Sequence, residues 1–462
     1  MPTVNGGVSF WYAATGLPVP RAPLAGDTDA DVVIVGGGYT GLWTAYYLKK
    51  AAPSLRIVVL EARFCGYGAS GRNGGWLYNG IAGRDRYAAL HGHDAAVALQ
   101  RAMNDTVGEV VRVAAEEGVE ADIEHGGVLE VARTPAQLAR LTAYHETETA
   151  FGEKDRLLLG AAESADRIRV AGTLGGTWTP HGARVHPAKL VRGLAEAAER
   201  LGVIVHESTP VDRIRPHAAV TPYGTVRAPY LLRCTEGFTA ALPGHRRTWL
   251  PMNSSMIATE PLPAAVWAAI GWEGRETLGD MAHAYMYAQR TADDRIALGG
   301  RGVPYRFGSR TDNDGSTSAA TVAALRAILV RFFPATADAA VDHAWSGVLG
   351  VPRDWCASVH LDRTTGLGWA GGYVGSGVAT ANLAARTLRD LVRLDSGQGG
   401  PTELTGLPWV GHRVRRWEPE PFRWAAVHGV YAAYRAADRR ESTGQSAATH
   451  PLARLTDRLT GH

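Results

Sequence analysis

Four residues near the N-terminus have the identity and spacing that a dinucleotide requires. Gly36, Gly38 and Gly41 form a GxGxxG pattern directly after the apolar run Val32–Val35, which predicts a buried parallel strand. An apolar helical pattern follows, and a second apolar run ends on Glu61. This order of strand, glycine turn, helix, strand and acid is typical of a dinucleotide-binding unit.

Each residue of that unit has a physical role. Gly36 permits a tight turn, Gly38 lets the backbone approach a pyrophosphate, and Gly41 lets helix and strand pack closely. The free N–H groups and the positive dipole end of the helix face the phosphates, and Glu61 accepts hydrogen bonds from the adenosine ribose. A glycine turn without a ligand is the alternative in a chain with 55 glycines, but the flanking elements favour the dinucleotide.

Length and composition limit the remaining possibilities. A chain of 462 residues with 45% hydrophobic residues is expected to form two domains with ample core. The formal charge of +3 is small for this size and does not indicate a nucleic-acid partner.

Cysteine usage and hydropathy bear on location. Cys65, Cys234 and Cys356 are widely spaced and predict neither a disulfide framework nor a metal site. We find no signal-peptide pattern and no apolar run of about eighteen residues that predicts a membrane span. A cytoplasmic protein is the expectation, and the oligomeric state stays open.

The order of patterns along the chain predicts a discontinuous cofactor domain. Nucleotide-type segments alternate with others, and residues 249–301 contain alternating strands typical of an antiparallel sheet. Residues 123–134 are predicted as a hairpin-like strand pair. The predicted division is cofactor domain at 1–95, 171–245 and 341–397, second domain at 96–170 and 246–340, and a helical extension at 398–462.

Six motifs together resemble a known family. They are the unit from Asp31 to Glu61, GASGRNGG (68–75), GARVHPAKLVRGL (182–194), LLRCTEGF (231–238), WSGVLGVPRDW (345–355) and GWAGGYVGSGVATANLAARTL (368–388). Together they resemble the D-amino-acid oxidase and glycine/sarcosine oxidase superfamily of FAD enzymes, most closely bacterial γ-glutamylputrescine oxidase-like members. The resemblance implies an α/β fold of the glutathione-reductase type: a discontinuous Rossmann-like FAD domain with an inserted antiparallel-sheet (α+β) substrate domain.

The resemblance also implies which residues contact noncovalently bound FAD. The glycine turn and Glu61 hold the pyrophosphate and ribose, the 68–75 block runs along the flavin, and a helix N-terminus after Gly375 meets its pyrimidine edge. The implied residues are Gly36, Gly38, Tyr39, Thr40, Gly41, Glu61, Ala62, Ala69, Ser70, Gly71, Arg72, Asn73, Gly74, Gly75, Val211, Thr235, Glu236, Gly347, Gly375, Ser376, Gly377, Val378, Ala379 and Thr380.

The chemistry implied by the resemblance is oxidation of a C–N bond. An amine or amino acid gives hydride to flavin N5 and becomes an imine, and O2 reoxidises the flavin to give H2O2. No individual catalytic side chain is assigned. Some relatives use a lysine near the flavin for oxygen activation, but the four lysines here (Lys49, Lys50, Lys154 and Lys189) lie outside the 250–300 sheet. A dehydrogenase with another electron acceptor is therefore an alternative.

Substrate-side candidates are large side chains near the predicted second sheet. They are Trp76, Trp249, Met252, Tyr285, Tyr287, Arg301 and Trp345. Converging aromatic rings indicate a cage for a cationic amine, whereas an arginine indicates a carboxylate-bearing substrate. Core packing is the alternative for each.

Two further patterns suggest other chemistries. Residues 278–283 resemble the GD-A-H motif of flavoprotein hydroxylases, but the following segment is strand-like rather than a glycine-rich helix start. Pairs such as His91 with His93, or Asp280 with His283, lack further ligands at suitable spacing, so we predict no metal site. For the Trp- and Arg-rich tail, covering the cofactor domain is favoured over contacting another subunit or touching a membrane surface.

Overall fold

The apolar runs on either side of the glycine pattern form neighbouring strands of a parallel sheet. A computed structural model of the chain describes residues 3–300, 302–311 and 314–460. Val32–Val35 pairs in parallel with Ile57–Leu60 on one side and with Tyr230–Arg233 on the other. Every side chain of the first two strands is buried, as expected for a parallel sheet covered on both faces.

The strands and helices follow the sequence patterns closely. The described strands are β1 (Val4–Asn5), β2 (Thr28–Asp29), β3 (Val32–Val35), β4 (Ile57–Leu60), β5 (Trp76–Tyr78), β6 (Val128–Ala132), β7 (Leu157–Gly160), β8 (Gly175–Thr179), β9 (Gly182–Arg184), β10 (Ile204–His206), β11 (Arg213–Arg215), β12 (Ala218–Thr221), β13 (Gly224–Arg227), β14 (Tyr230–Arg233), β15 (Leu250–Thr259), β16 (Thr277–Asp280), β17 (Met286–Arg290), β18 (Ile296–Gly300), β19 (Val341–Val351), β20 (Ser358–Asp362) and β21 (Leu367–Gly371). The described α-helices are α1 (Phe10–Thr15), α2 (Tyr39–Ala51), α3 (Arg84–His91), α4 (His93–Glu116), α5 (Pro135–Ala150), α6 (Ala161–Arg167), α7 (Pro187–Arg200), α8 (Ala264–Ile270), α9 (Ala319–Phe332), α10 (Gly377–Asp395), α11 (Phe422–Glu441) and α12 (Pro451–Thr460).

A six-stranded sheet forms the first layer, in the order β10-β4-β3-β14-β21-β20. Successive side chains point to opposite faces. Val32 and Ile34 pack with α2, α7 and α10, whereas Val33 and Val35 pack with β12 and β13. This two-sided cover explains why the strand is apolar at every position.

A nine-stranded sheet forms the second layer, in the order β1-β19-β15-β18-β17-β16-β6-β8-β7. It is mainly antiparallel, with parallel pairs at β1/β19 and β16/β6. Ile257 faces a core shared with α8 and α9, whereas its neighbour Met256 faces α1. The predicted combination of a Rossmann-like layer with an antiparallel second sheet is confirmed.

Several segments pair or pack with a layer other than the one that the predicted division of the chain gives them. Strands β1, β8 and β19 were assigned by sequence to the cofactor domain, but all three pair within the nine-stranded sheet. Helix α4, assigned to the second domain, packs in the core of the six-stranded sheet. Strands β8 and β19 are apolar or small enough for either sheet, so only their pairing partners decide. The predicted hairpin at 123–134 is wrong, because β6 is a single strand between β16 and β8.

We propose correspondingly shifted domain boundaries. Helix α4 is grouped with the cofactor layer, and β8 and β19 with the second layer. The remaining divisions of the chain stay predictions.

The tail contacts both layers. Leu407 and Trp409 belong to the core of the six-stranded sheet, as the sequence predicted. Helix α11, in contrast, packs through Val427 and Tyr431 against Met252 of the second sheet.

No helix within the described residues is long and apolar enough to cross a membrane.

Candidate functional site

The turn between β3 and α2 brings backbone unusually close to backbone. Gly36 has φ +111°, and a Cβ at this position would lie 2.6 Å from the Cys234 carbonyl oxygen. A Cβ at Gly41 would lie 1.9 Å from the Gly36 carbonyl oxygen. Only glycine permits this geometry, so the predicted reasons for both glycines hold in the structure.

The N-terminus of α2 opens beside the second glycine-rich block. Gly38 is the residue before the helix, and its neighbour Tyr39 donates its N–H to Ser70 Oγ at 2.8 Å. No acidic side chain occupies the first turn. The end of the helix therefore presents positive potential to an anionic group.

Glu61 lies at the end of β4, beside the glycine turn. Its carboxylate accepts hydrogen bonds from the N–H groups of Gly37, at 2.7 Å, and Arg63, at 2.9 Å. Burial raises the pKa of Glu61, and these two hydrogen bonds counteract that rise. They fix the orientation of the acid at the position where the resemblance implies a ribose.

These elements line a cavity of 530 Å³, which we call the first cavity. It extends from Glu61 and Val211 past the glycine turn to the start of α10. The predicted cofactor residues that line it are Gly36, Gly38, Tyr39, Thr40, Glu61, Ala62, Ala69, Ser70, Asn73, Val211, Thr235, Glu236, Gly375, Gly377 and Val378. An elongated cavity that joins an acid, a helix N-terminus and an apolar end fits a dinucleotide.

The remaining predicted cofactor residues lie beside this cavity. Arg72, Gly74, Gly347 and Ser376 line an adjacent second cavity. Gly41, Gly71, Gly75, Ala379 and Thr380 line neither. For these residues, contact with the cofactor stays a prediction.

The 68–75 block is held in place by its own polar groups. Arg72 donates from Nε to the Tyr67 carbonyl at 2.7 Å, and its guanidinium lies 4.4 Å from the centre of the Tyr67 ring. Asn73 accepts from the Gly75 N–H at 2.8 Å. Arg72 is thus engaged in shaping the loop.

Helix α1 braces the same block from outside. Ser9 Oγ donates to the Gly71 carbonyl at 2.7 Å, Trp11 Nε1 to the Asn73 carbonyl at 2.8 Å and Tyr12 OH to the Gly66 carbonyl at 3.1 Å. The sequence analysis did not predict that residues 9–12 support the 68–75 block. This N-terminal segment contains no motif that could indicate contacts with residues 54 to 62 positions away.

A buried acid shapes the turn that precedes α10. Glu236 has φ +41°, and its carboxylate accepts from the N–H groups of Gly372 at 2.9 Å and Tyr373 at 3.1 Å. Burial raises the pKa of Glu236 to about 7, against the lowering effect of these hydrogen bonds. Tyr373 OH in turn lies 3.1 Å from Thr40 Oγ1 on α2, so the two helix N-termini are linked.

The second cavity has a volume of 380 Å³ and adjoins the first. The two share Ala69, Asn73, Leu349, Gly375 and Val378. The start of α10 therefore lies where the cavities meet. The first N–H groups of a helix have no partner within the helix, so this N-terminus favours negative charge at the junction.

Three of the predicted aromatic candidates line the second cavity. Trp76, Tyr285 and Tyr287 converge there from different strands and loops, and Tyr287 OH lies 2.8 Å from Ser254 Oγ. Trp76 meets the Tyr287 ring edge-on at 6.3 Å.

The other candidates lie away from both cavities or outside the described residues. Met252 packs against Tyr305 and Trp417. Trp345 is buried beneath the loop, where Nε1 donates to the Arg72 carbonyl at 2.8 Å. Trp249 packs against the Arg233 guanidinium, 4.7 Å from its ring. Arg301 lies outside the described residues. Met252 and Trp345 share a sheet face with the cavity-lining residues Ser254, Gly347 and Leu349. They miss the cavity because they lie further along β15 and β19.

Two carboxylates in the second cavity were not predicted as site residues. Burial raises the pKa of Glu130, and Arg156, whose Nη1 lies 3.4 Å from its Oε2, acts in the opposite direction. Burial also raises the pKa of Asp280, to about 7, although the Met286 N–H hydrogen bond opposes the rise. The sequence did contain a signal for Glu130 and Asp280: each is an acidic residue within a predicted strand, where a charged side chain is unexpected unless it serves a site.

Within the described residues, two groups of side chains have metal-ligand identities: Asp354 with Cys356 and His412, and His283 with Asp438 and Glu441. In the first, Asp354 is already hydrogen-bonded to His412 Nε2 at 2.7 Å. In the second, Glu441 pairs with Arg140 at 2.8 Å. The absence of a metal stays a prediction.

Comparisons with known proteins agree with this architecture. A family model described as FAD dependent oxidoreductase matches residues 31–391. Gamma-glutamylputrescine oxidoreductase of Escherichia coli K12 is 29% identical over 417 residues, covering 88% of this chain and 94% of that protein. A probable oxidoreductase of Rhizobium meliloti, OrdL, is 28% identical over 406 residues, covering 82% of this chain and 87% of that protein.

Solved structures share the fold at lower identity. Glycine oxidase from Geobacillus kaustophilus superposes with a TM-score of 0.68 at 20% identity, covering 83% of this chain and 99% of that one. L-proline dehydrogenase from P. horikoshii superposes with a TM-score of 0.66 at 16% identity, covering 85% and 98%. The family match spans the glycine turn, both cavities and the start of α10. The chain belongs to the DAO family of FAD-dependent oxidoreductases.

Proposed function

We propose that this enzyme oxidises the C–N bond of an amine or amino acid to an imine, with O2 as the final electron acceptor. The observation that carries the proposal is the second cavity. It adjoins the cofactor cavity and is lined by two carboxylates, Glu130 and Asp280, and by four aromatic side chains: Trp76, Tyr78, Tyr285 and Tyr287. Aromatic faces and carboxylates both attract a cationic amine.

The names of relatives support the same substrate class. One relative is called gamma-glutamylputrescine oxidoreductase and a structural neighbour glycine oxidase, and both names refer to amines. This chain's substrate within that class is part of the proposal.

Bound FAD supplies the acceptor for the hydride that leaves the substrate carbon. The amine thereby loses two electrons and becomes an imine, which water hydrolyses to a carbonyl compound and an amine or ammonia. O2 gains two electrons and two protons and becomes H2O2.

The protein's own residues bind the amine, stabilise charge and limit the access of water. The N–H groups of Gly377 and Val378, in the first turn of α10, stabilise negative charge at the junction of the cavities. Trp76 and Tyr287 limit the access of water to that junction. Asp280, with a pKa of about 7, holds an ammonium group when ionised and accepts its proton before oxidation.

A dehydrogenase with another acceptor is the second candidate, and the lysines favour it. None of the four lysines lines either cavity. Lys189 pairs with Asp122 at 2.7 Å, and Lys49 donates to the carbonyls of Pro53 and Leu55. A lysine-assisted reaction with O2 therefore has no candidate side chain in the cavities.

A hydroxylase has less support. Residues 280–283 line the second cavity and not the first, so the GD-A-H-like segment does not contact the cofactor cavity. We also propose that FAD is bound noncovalently, because all three cysteines are buried and none lies at the junction of the cavities. Cys234 lines the first cavity, but it does so beside the glycine turn, where its carbonyl lies against Gly36. A cytoplasmic location remains part of this proposal.

The test is anaerobic mixing with polyamines, N-methyl amino acids, and D- and L-amino acids, followed by admission of air. We expect one amine class to bleach the visible flavin band and air to restore it rapidly, with one H2O2 per turnover. Slow return in air supports the dehydrogenase. Bleaching by NAD(P)H and by no amine contradicts the proposal.

A further inference from the structure

One wall of the second cavity is attached to helix α11. Met281, Ala282 and His283 line that cavity, directly after β16. This short segment, 281–284, we call the wall segment. Helix α11 lies outside the family-matched residues 31–391.

Asp438 on α11 holds the backbone of the wall segment. Its Oδ1 accepts the N–H of His283 and its Oδ2 the N–H of Ala284, both at 2.9 Å. A carboxylate that accepts two consecutive N–H groups fixes the peptide between them. The position of the wall thus depends on one side chain of the tail.

Glu441 fastens the same wall through side chains. Its Oε2 lies 2.8 Å from Arg140 Nη1, and its Oε1 lies 3.2 Å from His283 Nε2. Arg140 also donates to the Met281 carbonyl from Nη2, at 2.8 Å. All of these side chains are at least partly buried, and that of Glu441 is only 5% exposed, where charge-assisted hydrogen bonds are strong.

The His283 ring is fixed by stacking as well. It lies parallel to Tyr434 of α11, with ring centroids 5.5 Å apart and an interplanar angle of 3°. One imidazole face is therefore covered by the tail while the residue lines the cavity.

We propose that α11 determines substrate selectivity by holding the wall segment, with Asp438 and Glu441 as positioning residues. Neither acid lines the cavity, so both act through His283, Ala284 and Arg140. The inference rests on the proposed function, because it treats the second cavity as the amine site.

The decisive variant is Asp438→Ala, with Asp438→Asn as a milder change that keeps one acceptor. For the amine that reduces the wild type fastest, we expect KM to rise at least fivefold in Asp438→Ala and by less in Asp438→Asn. The ratio of kcat/KM for this amine to that for the next best amine, which measures selectivity, is expected to fall accordingly. We expect kcat and FAD content to stay within twofold of wild type. Glu418→Ala is the matched control, because Glu418 is a carboxylate of the same tail that pairs with Arg353 and contacts no wall residue.

Hydrogen exchange of the peptide covering 281–286 provides a readout that needs no substrate. We expect faster exchange at this peptide in Asp438→Ala and unchanged exchange in Glu418→Ala. Unchanged exchange and unchanged KM overturn the inference. Faster exchange with unchanged KM also overturns it, because the wall is then irrelevant to the substrate.

A fall in kcat and FAD content with unchanged KM indicates a general structural role and likewise contradicts the inference. If no amine reduces the wild type, the proposed function fails and selectivity for amines fails with it. Exchange then still reports whether Asp438 holds the wall, so the two failures are distinguishable.

Discussion

The two cavities are built from different parts of the polypeptide. The first is bounded largely by backbone at glycine turns and by two helix N-termini, and its central motif spans Gly36 to Glu61. The second is bounded by side chains from strands and loops as far apart in sequence as Trp76 and Tyr287. A site made of backbone requires particular residues at particular spacings, whereas a site made of side chains tolerates many solutions.

The supporting segments differ in the same way. Helix α1 donates side-chain hydrogen bonds to carbonyls of the 68–75 block, and α11 accepts hydrogen bonds from the wall of the second cavity. Both lie outside residues 31–391. The ends of the chain thus brace opposite cavities.

The largest expected effect tests whether the first cavity depends on backbone approach. In Gly41→Ala, the new Cβ would lie 1.9 Å from the Gly36 carbonyl oxygen, so the turn cannot form as it is. We expect at least about a tenfold loss of FAD affinity, since 1.4 kcal/mol corresponds to a factor of ten. The ratio of flavin to protein absorbance after purification measures it.

Gly108→Ala on α4 is the control for this variant. Nothing lies within 4 Å of a Cβ there, and helical alanine is favoured over glycine by about 0.5–1 kcal/mol. We expect full FAD content and slightly higher stability. Normal FAD binding by Gly41→Ala would contradict the role of close packing.

The second prediction tests whether the second cavity acts through charge. Ionised Asp280 attracts an ammonium group, and its pKa of about 7 places the change within the working range. For the wild type, we expect KM for a cationic amine to fall as pH rises from 6 to 8. In Asp280→Asn, we expect that fall to disappear and KM at pH 8 to rise about tenfold, equivalent to about 1.4 kcal/mol.

Steady-state kinetics across this pH range provide the measurement. Asp155→Asn makes the same change at a side chain that is 69% exposed and outside both cavities, so it is expected to behave as wild type. A pH profile that is the same in Asp280→Asn and wild type would contradict the binding role.

The third prediction concerns Glu236, the buried acid that shapes the turn before α10. The folded-state pKa of Glu236 is about 7, above the ordinary value near 4.5, so folding favours its protonated form. Its contribution to stability is complete below about pH 4.5 and is lost as pH rises towards 7. Glutamine does not ionise, so the Glu236→Gln variant does not lose this stability as pH rises.

We therefore expect the free energy of unfolding of Glu236→Gln, relative to wild type, to increase between pH 5 and pH 8. The upper limit is on the order of 3 kcal/mol, at about 1.4 kcal/mol per pKa unit. Denaturant unfolding of the apoprotein at each pH measures it. A constant difference between the two proteins shows that the carboxyl group does not titrate in this range.

The smallest expected effect concerns the brace on the first cavity. Trp11→Phe removes the hydrogen bond to the Asn73 carbonyl and keeps most of the apolar contact. We expect FAD affinity to fall about fivefold, equivalent to about 1 kcal/mol for one hydrogen bond. Fluorescence titration of the apoprotein with FAD measures it.

Trp267→Phe is the control, because Trp267 Nε1 is buried without a hydrogen-bond partner among the described residues. No change in FAD affinity is expected there. Equal effects of the two variants would show that ring size, and not the hydrogen bond, matters at position 11.

The sequence analysis succeeded for the first cavity, which is built from backbone, and was less successful for the second cavity, which is built from side chains. The glycine turn, Glu61 and the start of α10 were predicted, because local backbone geometry demands their residue types. Glu130 and Asp280 were missed as site residues, and Met252 and Trp345 were assigned to the second cavity although they line neither. Residue type could not decide these cases, because the pairing of the strands and the position along each strand determine which side chains reach a cavity. Met252 and Trp345 share a sheet face with the cavity-lining Ser254 and Gly347, but they lie further along their strands.

By itself, the sequence determined the dinucleotide unit, the alternation of layers and the family. These depend on short-range spacing, which the chain carries locally. Only the tertiary structure decided that β8 and β19 join the second sheet, that α1 braces the 68–75 block and that α11 holds the wall segment. These contacts join residues 40 or more positions apart, and such pairings depend on which faces remain uncovered once the sheets have formed.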